Sequence, residues 1–77
     1  MKVKVNTQLY KNTMKEKEIN FTRLMISIYE NFGFEVYQSG VSQAINGKSF
    51  SLRTHMVICE ILGLSLDDIF ILDKKED

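Results

Sequence analysis

Apolar positions recur along this chain at two spacings, and the spacings divide it into elements. The strongest signal is Phe21, Leu24, Met25, Ile28, Tyr29 and Phe32, which fall three and four apart. That rhythm predicts an amphipathic helix with one stripe facing a core. Asn20 stands where an N-cap belongs and Gly33 where such a helix stops. Further on, Tyr37, Val41, Ala44 and Ile45 predict a shorter helix with a buried stripe, ended by Gly47. From Leu52 to Leu62 the apolar residues Leu52, Met56, Ile58, Cys59, Ile61 and Leu62 cover most of the circumference, which predicts the most buried helix of the set, capped by Ser51 and closed by Gly63. Ser65 opens a short last helix held to the core by Leu66, Ile69 and Phe70, with Asp67 and Asp68 complementing its dipole. At the other end, Asn6 or Thr7 caps a first helix running through Leu9, Tyr10 and Met14 to about Glu18. Two stretches alternate with period two instead. Lys2–Val5 reads as an extended arm, and Phe34–Tyr37 as a short strand to pair with it. The expected architecture is one all-α domain of five helices over residues 1–77, with an arm at 1–5 and a charged, fraying tail at 73–77.

Composition narrows the functions open to such a domain. With 44% hydrophobic residues in 77, the chain is a globule rather than a disordered segment. A core of that size is only marginally sufficient, so a homodimer would add stability. Cys59 is the single cysteine and His55 the single histidine, which leaves no ligand set for a metal, and no cofactor is expected. The two are four apart on one helix, a spacing open to a Cys–His nucleophile. They sit, however, in the most apolar helix, out of reach of substrate. Cys59 therefore reads as a small core residue and His55 as a partly exposed helix histidine. Asp67 and Asp68 are helix-start acids, and no glycine-rich phosphate loop exists. The chain is not expected to be an enzyme. No apolar run is long enough to span a bilayer, and Met-Lys-Val-Lys-Val lacks a signal-peptide core, so a cytoplasmic protein without a membrane partner is expected.

Formal net charge is zero, which counts against nucleic-acid binding, because phosphate attraction supplies most non-specific affinity. The distribution is less even. Up to Arg23 there are six basic residues against Glu16 and Glu18, and from Asp67 onward five acids against Lys74 and Lys75. Such a split can leave one face positive, or can serve solubility alone.

The stretch from Val36 to Lys48 has two unlike faces. Opposite its apolar stripe lie Ser39, Ser42, Gln43 and Asn46, with Gln38 near the start. This roof is uncharged and made of amides and hydroxyls that both donate and accept. Gln bonds an adenine edge at two points and Ser pairs with any base, so the surface suits major-groove reading. An ordinary solvated helix face is the plainer alternative. Gly40 lowers helix propensity here by about 1 kcal/mol relative to Ala. Tolerance in a helix fixed by packing explains it better than close approach to a DNA backbone.

Asn46-Gly47-Lys48, followed by Ile58-Cys59-Glu60-Ile61-Leu62-Gly63-Leu64-Ser65-Leu66-Asp67-Asp68-Ile69-Phe70, resembles the lambda-repressor-like helix-turn-helix domain, the Cro/XRE type of phage and bacterial regulator. The likeness is most specific from Val36 to Phe70 and looser over Asn6–Leu24. It departs at Met25, where the family carries Ala, and at Gly33, which arrives about one helical turn late. The segment Phe34–Val36 is also longer than the family's turn. The resemblance implies a double-stranded DNA-binding regulator, working as a homodimer. It carries base reading onto Gln38, Ser39, Ser42 and Gln43. Phosphate contact through loop amides and a cation falls on Asn46, Lys48 and Ser49, with Arg53 as a further phosphate contact and the backbone amide near Phe21 as another. Two rivals stand beside it. One is a protein-binding module on the same scaffold, an antirepressor or inhibitor using an apolar patch at 34–37. The other is an RNA or single-strand binder, disfavoured by the few exposed aromatics.

Overall fold

A computed structural model describes residues 2–73. Five helices and two short strands follow in the order β1 (Lys2–Val5), α1 (Thr7–Glu16), α2 (Phe21–Phe32), α3 (Gln38–Ile45), α4 (Leu52–Leu62), α5 (Leu66–Ile69) and β2 (Phe70–Asp73). The caps expected from sequence are in place. The side chains of Asn6, Asn20, Ser51 and Ser65 each accept a hydrogen bond from a backbone N–H in the first turn of α1, α2, α4 and α5. Gly33 and Gly63 close α2 and α4 in the left-handed region. The first helix stops at Glu16, earlier than expected, because the chain reverses through Glu18 at φ 54°.

The core is a single cluster of Tyr10, Met14, Leu24, Ile28, Val41, Ala44, Ile45, Ile58, Cys59, Leu62 and Ile69. Each helix contributes the expected stripe in part. Burial of α2 is complete at Leu24 and Ile28 but fails at Tyr29 and Phe32, since its last turn runs past the edge of the core. In α4 the buried set is His55, Ile58, Cys59 and Leu62, an i, i+3, i+4, i+7 stripe. Leu52 and Met56 lie off that stripe and are more than half exposed, so α4 is amphipathic rather than buried all round. The expected partly exposed His55 is instead wholly buried.

The all-α expectation needs one correction. The arm β1 pairs antiparallel with β2, in the register Val3 with Leu72 and Val5 with Phe70. Residues 34–37 form no strand and do not pair with the arm, whose partner is β2. Phe70 belongs to β2 rather than to the last helix, and Asp73 closes that strand. The expected tail beyond it, 74–77, lies outside the described residues. The pairing is locked where the ribbon joins the helices, by Asn6 N–H donating to the Ile69 carbonyl at 2.7 Å. The Thr7 hydroxyl donates to the Ile45 carbonyl at 2.7 Å, docking the start of α1 on the end of α3. No helix among the described residues is long and apolar enough to cross a membrane.

Candidate nucleic-acid interface

The underside of α3 is Val41, Ala44 and Ile45, all fully buried. Tyr37, expected as the first residue of that stripe, is 75% exposed. Its backbone is extended at φ −89° and ψ 156°, so it stands before the helix and its ring leaves the stripe. On the outer side Gln38, Ser39, Gln43 and Asn46 are exposed and Ser42 is half-buried. These five residues do not share one role. The Asn46 side-chain amide donates to the Ser42 carbonyl at 2.9 Å and to its hydroxyl at 3.3 Å. Ser42 and Asn46 therefore hold each other and finish the helix, which leaves Gln38, Ser39 and Gln43 as the open part of the ridge.

The two ends of α3 differ in a way the sequence reading did not bring out. Tyr37 is its N-cap and makes no side-chain cap bond, whereas the other four helices are capped by Asn or Ser. The amides of Gln38, Ser39 and Gly40 thus have no cap acceptor at the positive end of the helix. The missing Ser, Thr, Asp or Asn at position 37 was the available signal. At the other end the expected phosphate-binding amides are turned inward. Asn46 N–H donates to Ser42, Gly47 to Ala44, and both Lys48 and Ser49 to the Gln43 carbonyl at 2.8 and 3.2 Å. Gly47 makes this closure possible with φ 79°, a conformation costly for any residue with a Cβ. What remains outward from the loop is the exposed Lys48 side chain, while Ser49 is half-buried.

The same loop is fastened to the core through a side chain. His55 Nε2 lies 2.8 Å from the Ser49 carbonyl, and its Nδ1 lies 2.6 Å from the Tyr10 hydroxyl. Phe70 meets the imidazole edge-on at 4.9 Å between centroids and stacks on Phe50. Among the described residues no buried side-chain nitrogen or oxygen lacks a partner. The pKa of the buried Cys59 thiol is raised from its ordinary value, first by burial and further by the Asp68 carboxylate, against a hydrogen bond with Tyr10. It is thus protonated and poorly nucleophilic. No group of three His, Cys, Asp or Glu residues among those described is placed to hold a metal ion.

Arg53 is exposed in the first turn of α4. Its guanidinium carbon lies 3.7 Å from the centroid of the Phe34 ring, in the connection that enters α3. Phe34 and Val36 pack half-buried against the core, so the patch expected at 34–37 is not a run of free apolar side chains. Instead Val36 and Tyr37, with Met25, Ile26, Tyr29 and Glu35, line an open groove of about 380 Å³ between α2 and the connection. A second hollow, about 340 Å³, lies at the turn between α1 and α2 and is bordered by Lys11 and Lys15. From Gly33 to Arg53 the sequence holds one acid, Glu35, and two cations, Lys48 and Arg53.

No protein-family model, curated protein or solved structure matches this chain.

Proposed function

We propose that the chain is a small sequence-specific double-stranded DNA-binding regulator of helix-turn-helix type, in which α3 enters the major groove and α2 crosses behind it. The observation that carries this reading is an exposed, uncharged ridge of Gln38, Ser39 and Gln43 on a helix whose opposite side is fully buried. A rigid floor beneath a row of amides and a hydroxyl is the arrangement that base-edge hydrogen bonding requires. The uncapped start of α3 supports it, because free amides at a positive helix end suit a backbone phosphate. Lys48 and Arg53 supply cations beside the ridge. The folded-back loop makes Lys48 a contact through its side chain rather than through loop amides. One domain offers few phosphate contacts, so the working form is a homodimer on a two-fold site. The work is binding, without catalysis or cofactor.

Fluorescence anisotropy with selected and mixed-sequence duplexes at two salt concentrations tests the reading. Affinity should fall steeply with salt, and the selected duplex should bind more tightly at both. Equal, salt-insensitive binding would sink it.

The groove beside Tyr37 favours a second reading, a protein-binding module on the same scaffold. Tyr29 is 59% exposed there, and Met25, Ile26 and Val36 give an apolar floor. A partner docking through that groove would bind with weak salt dependence and would be lost on Tyr29→Ala, whereas duplex binding would survive that change.

A further inference from the structure

The lengthened connection between α2 and α3 does more than span a distance. Arg53 occupies the first turn of α4, where the positive end of the helix dipole disfavours a cation. No acid stands in that turn, and among the described residues no carboxylate pairs with it. Its directed contact is the face of Phe34 at 3.7 Å. At that separation the guanidinium carbon sits over the ring face, a cation–π contact that limits where the side chain can swing. Arg53 is exposed, so the planar fork of N–H donors held over the ring is open to bidentate capture of a phosphate. Phe34 is itself fixed, because it is half-buried against the core. The stack therefore turns a flexible side chain at an unfavourable site into an aimed one, next to the segment that leads into Gln38.

We infer that Phe34 is a positioning residue for Arg53, holding the guanidinium so that it grips a backbone phosphate on the side where the chain enters α3. The inference rests on the DNA-binding reading above. In the free protein an exposed Arg on a ring contributes little; bound to DNA, a pre-aimed Arg adds a phosphate contact without having to be ordered first.

The test measures the affinity of the full chain for mixed-sequence duplex DNA across a salt series, because a phosphate contact is independent of sequence. Arg53→Ala should weaken binding and reduce the slope of log K against log salt by about one. Phe34→Leu keeps the apolar packing and every charge but removes the π face. It should weaken binding severalfold and bring the slope toward that of Arg53→Ala, whereas Phe34→Tyr should restore both. The Phe34→Leu and Arg53→Ala double variant should bind no worse than Arg53→Ala alone. Melting temperatures of all variants keep a folding defect from passing as a binding defect. A wild-type chain without salt-dependent duplex binding removes the underlying reading. A wild type that binds, with Arg53→Ala weakened and Phe34→Leu unchanged in slope and affinity, overturns the positioning role alone. The same holds if Arg53→Ala binds like wild type.

Discussion

The Tyr10 hydroxyl and His55 Nδ1 meet at 2.6 Å in a core from which both residues are wholly shielded. The pairing fixes the order of donors. The Ser49 carbonyl can only accept, so Nε2 carries a proton, and in the tautomer with one ring proton that is its only one. Nδ1 is then an acceptor, and Tyr10 must donate to it. That leaves the Tyr10 oxygen to accept from the Cys59 thiol at 3.7 Å. One directed chain thus runs from α4 through α1 and back to the loop carrying Lys48. Tyr10→Phe keeps the ring but leaves Nδ1 buried without a donor, and should cost about 1–3 kcal/mol. Urea unfolding monitored by circular dichroism reads the loss.

Alkaline pH should act on the same cluster. Burial raises the pKa of both Tyr10 and Cys59, with Cys59 adding to the shift on Tyr10. A raised folded-state value means the folded protein holds its proton where the unfolded chain has released it. This contribution is complete below the ordinary thiol value of 9.0 and is lost as pH rises above it. Unfolding midpoints should therefore decline from about pH 9 upward, and Cys59→Ala should flatten the first part of the decline. Thiol labelling gives the second check: the buried thiol should react only after unfolding.

Much of this arrangement was legible in the sequence. The four Asn and Ser caps, the Val41, Ala44 and Ile45 part of the α3 stripe and the closing glycines followed from local rules. What stayed hidden depends on distant partners. His55 reads as a surface residue until Tyr10 and the Ser49 carbonyl arrive to satisfy it. Alternation at 34–37 reads as a strand, yet the arm's partner lies at 70–73, and only tertiary packing decides between them. At the candidate interface, residue types indicated the ridge, but not that Ser42 and Asn46 bind each other or that the loop amides face inward.

Gln43 and Lys48 should part company in mutagenesis. Gln43→Ala is expected to cost about 1–3 kcal/mol on a selected duplex and to relax preference at one base pair. Lys48→Ala should weaken every duplex alike and lower the salt slope. Anisotropy titrations on selected and mixed duplexes separate the two, and equal losses for both variants would refute the division of roles.

The uncapped start of α3 sets stability against binding. Tyr37 is 75% exposed, so replacing it removes little packing. Tyr37→Asp should supply the missing cap and raise stability by about 1 kcal/mol. Its carboxylate would occupy the free amides and repel phosphate, so duplex affinity should fall. Tyr37→Ser should give a similar gain in stability with a smaller loss of binding, which a paired melting and titration series would show.

Gly40 offers a control on the same helix. A methyl group there would meet nothing within 4 Å, and its φ is not positive. Gly40→Ala should therefore stabilise the protein by about 0.5–1 kcal/mol. Duplex affinity should stay unchanged; a large loss would mean that the DNA backbone comes within contact of this position.

The β1–β2 ribbon has a kinetic consequence. Its strands are separated by nearly the entire chain, so the hydrogen bonds between β1 and β2 reward chain closure only after the helices have already assembled. Val3 and Leu72 are about half exposed. Little buried surface resists their separation, so the ribbon behaves as a clasp, last to shut during folding and first to come undone while the helical body stays intact.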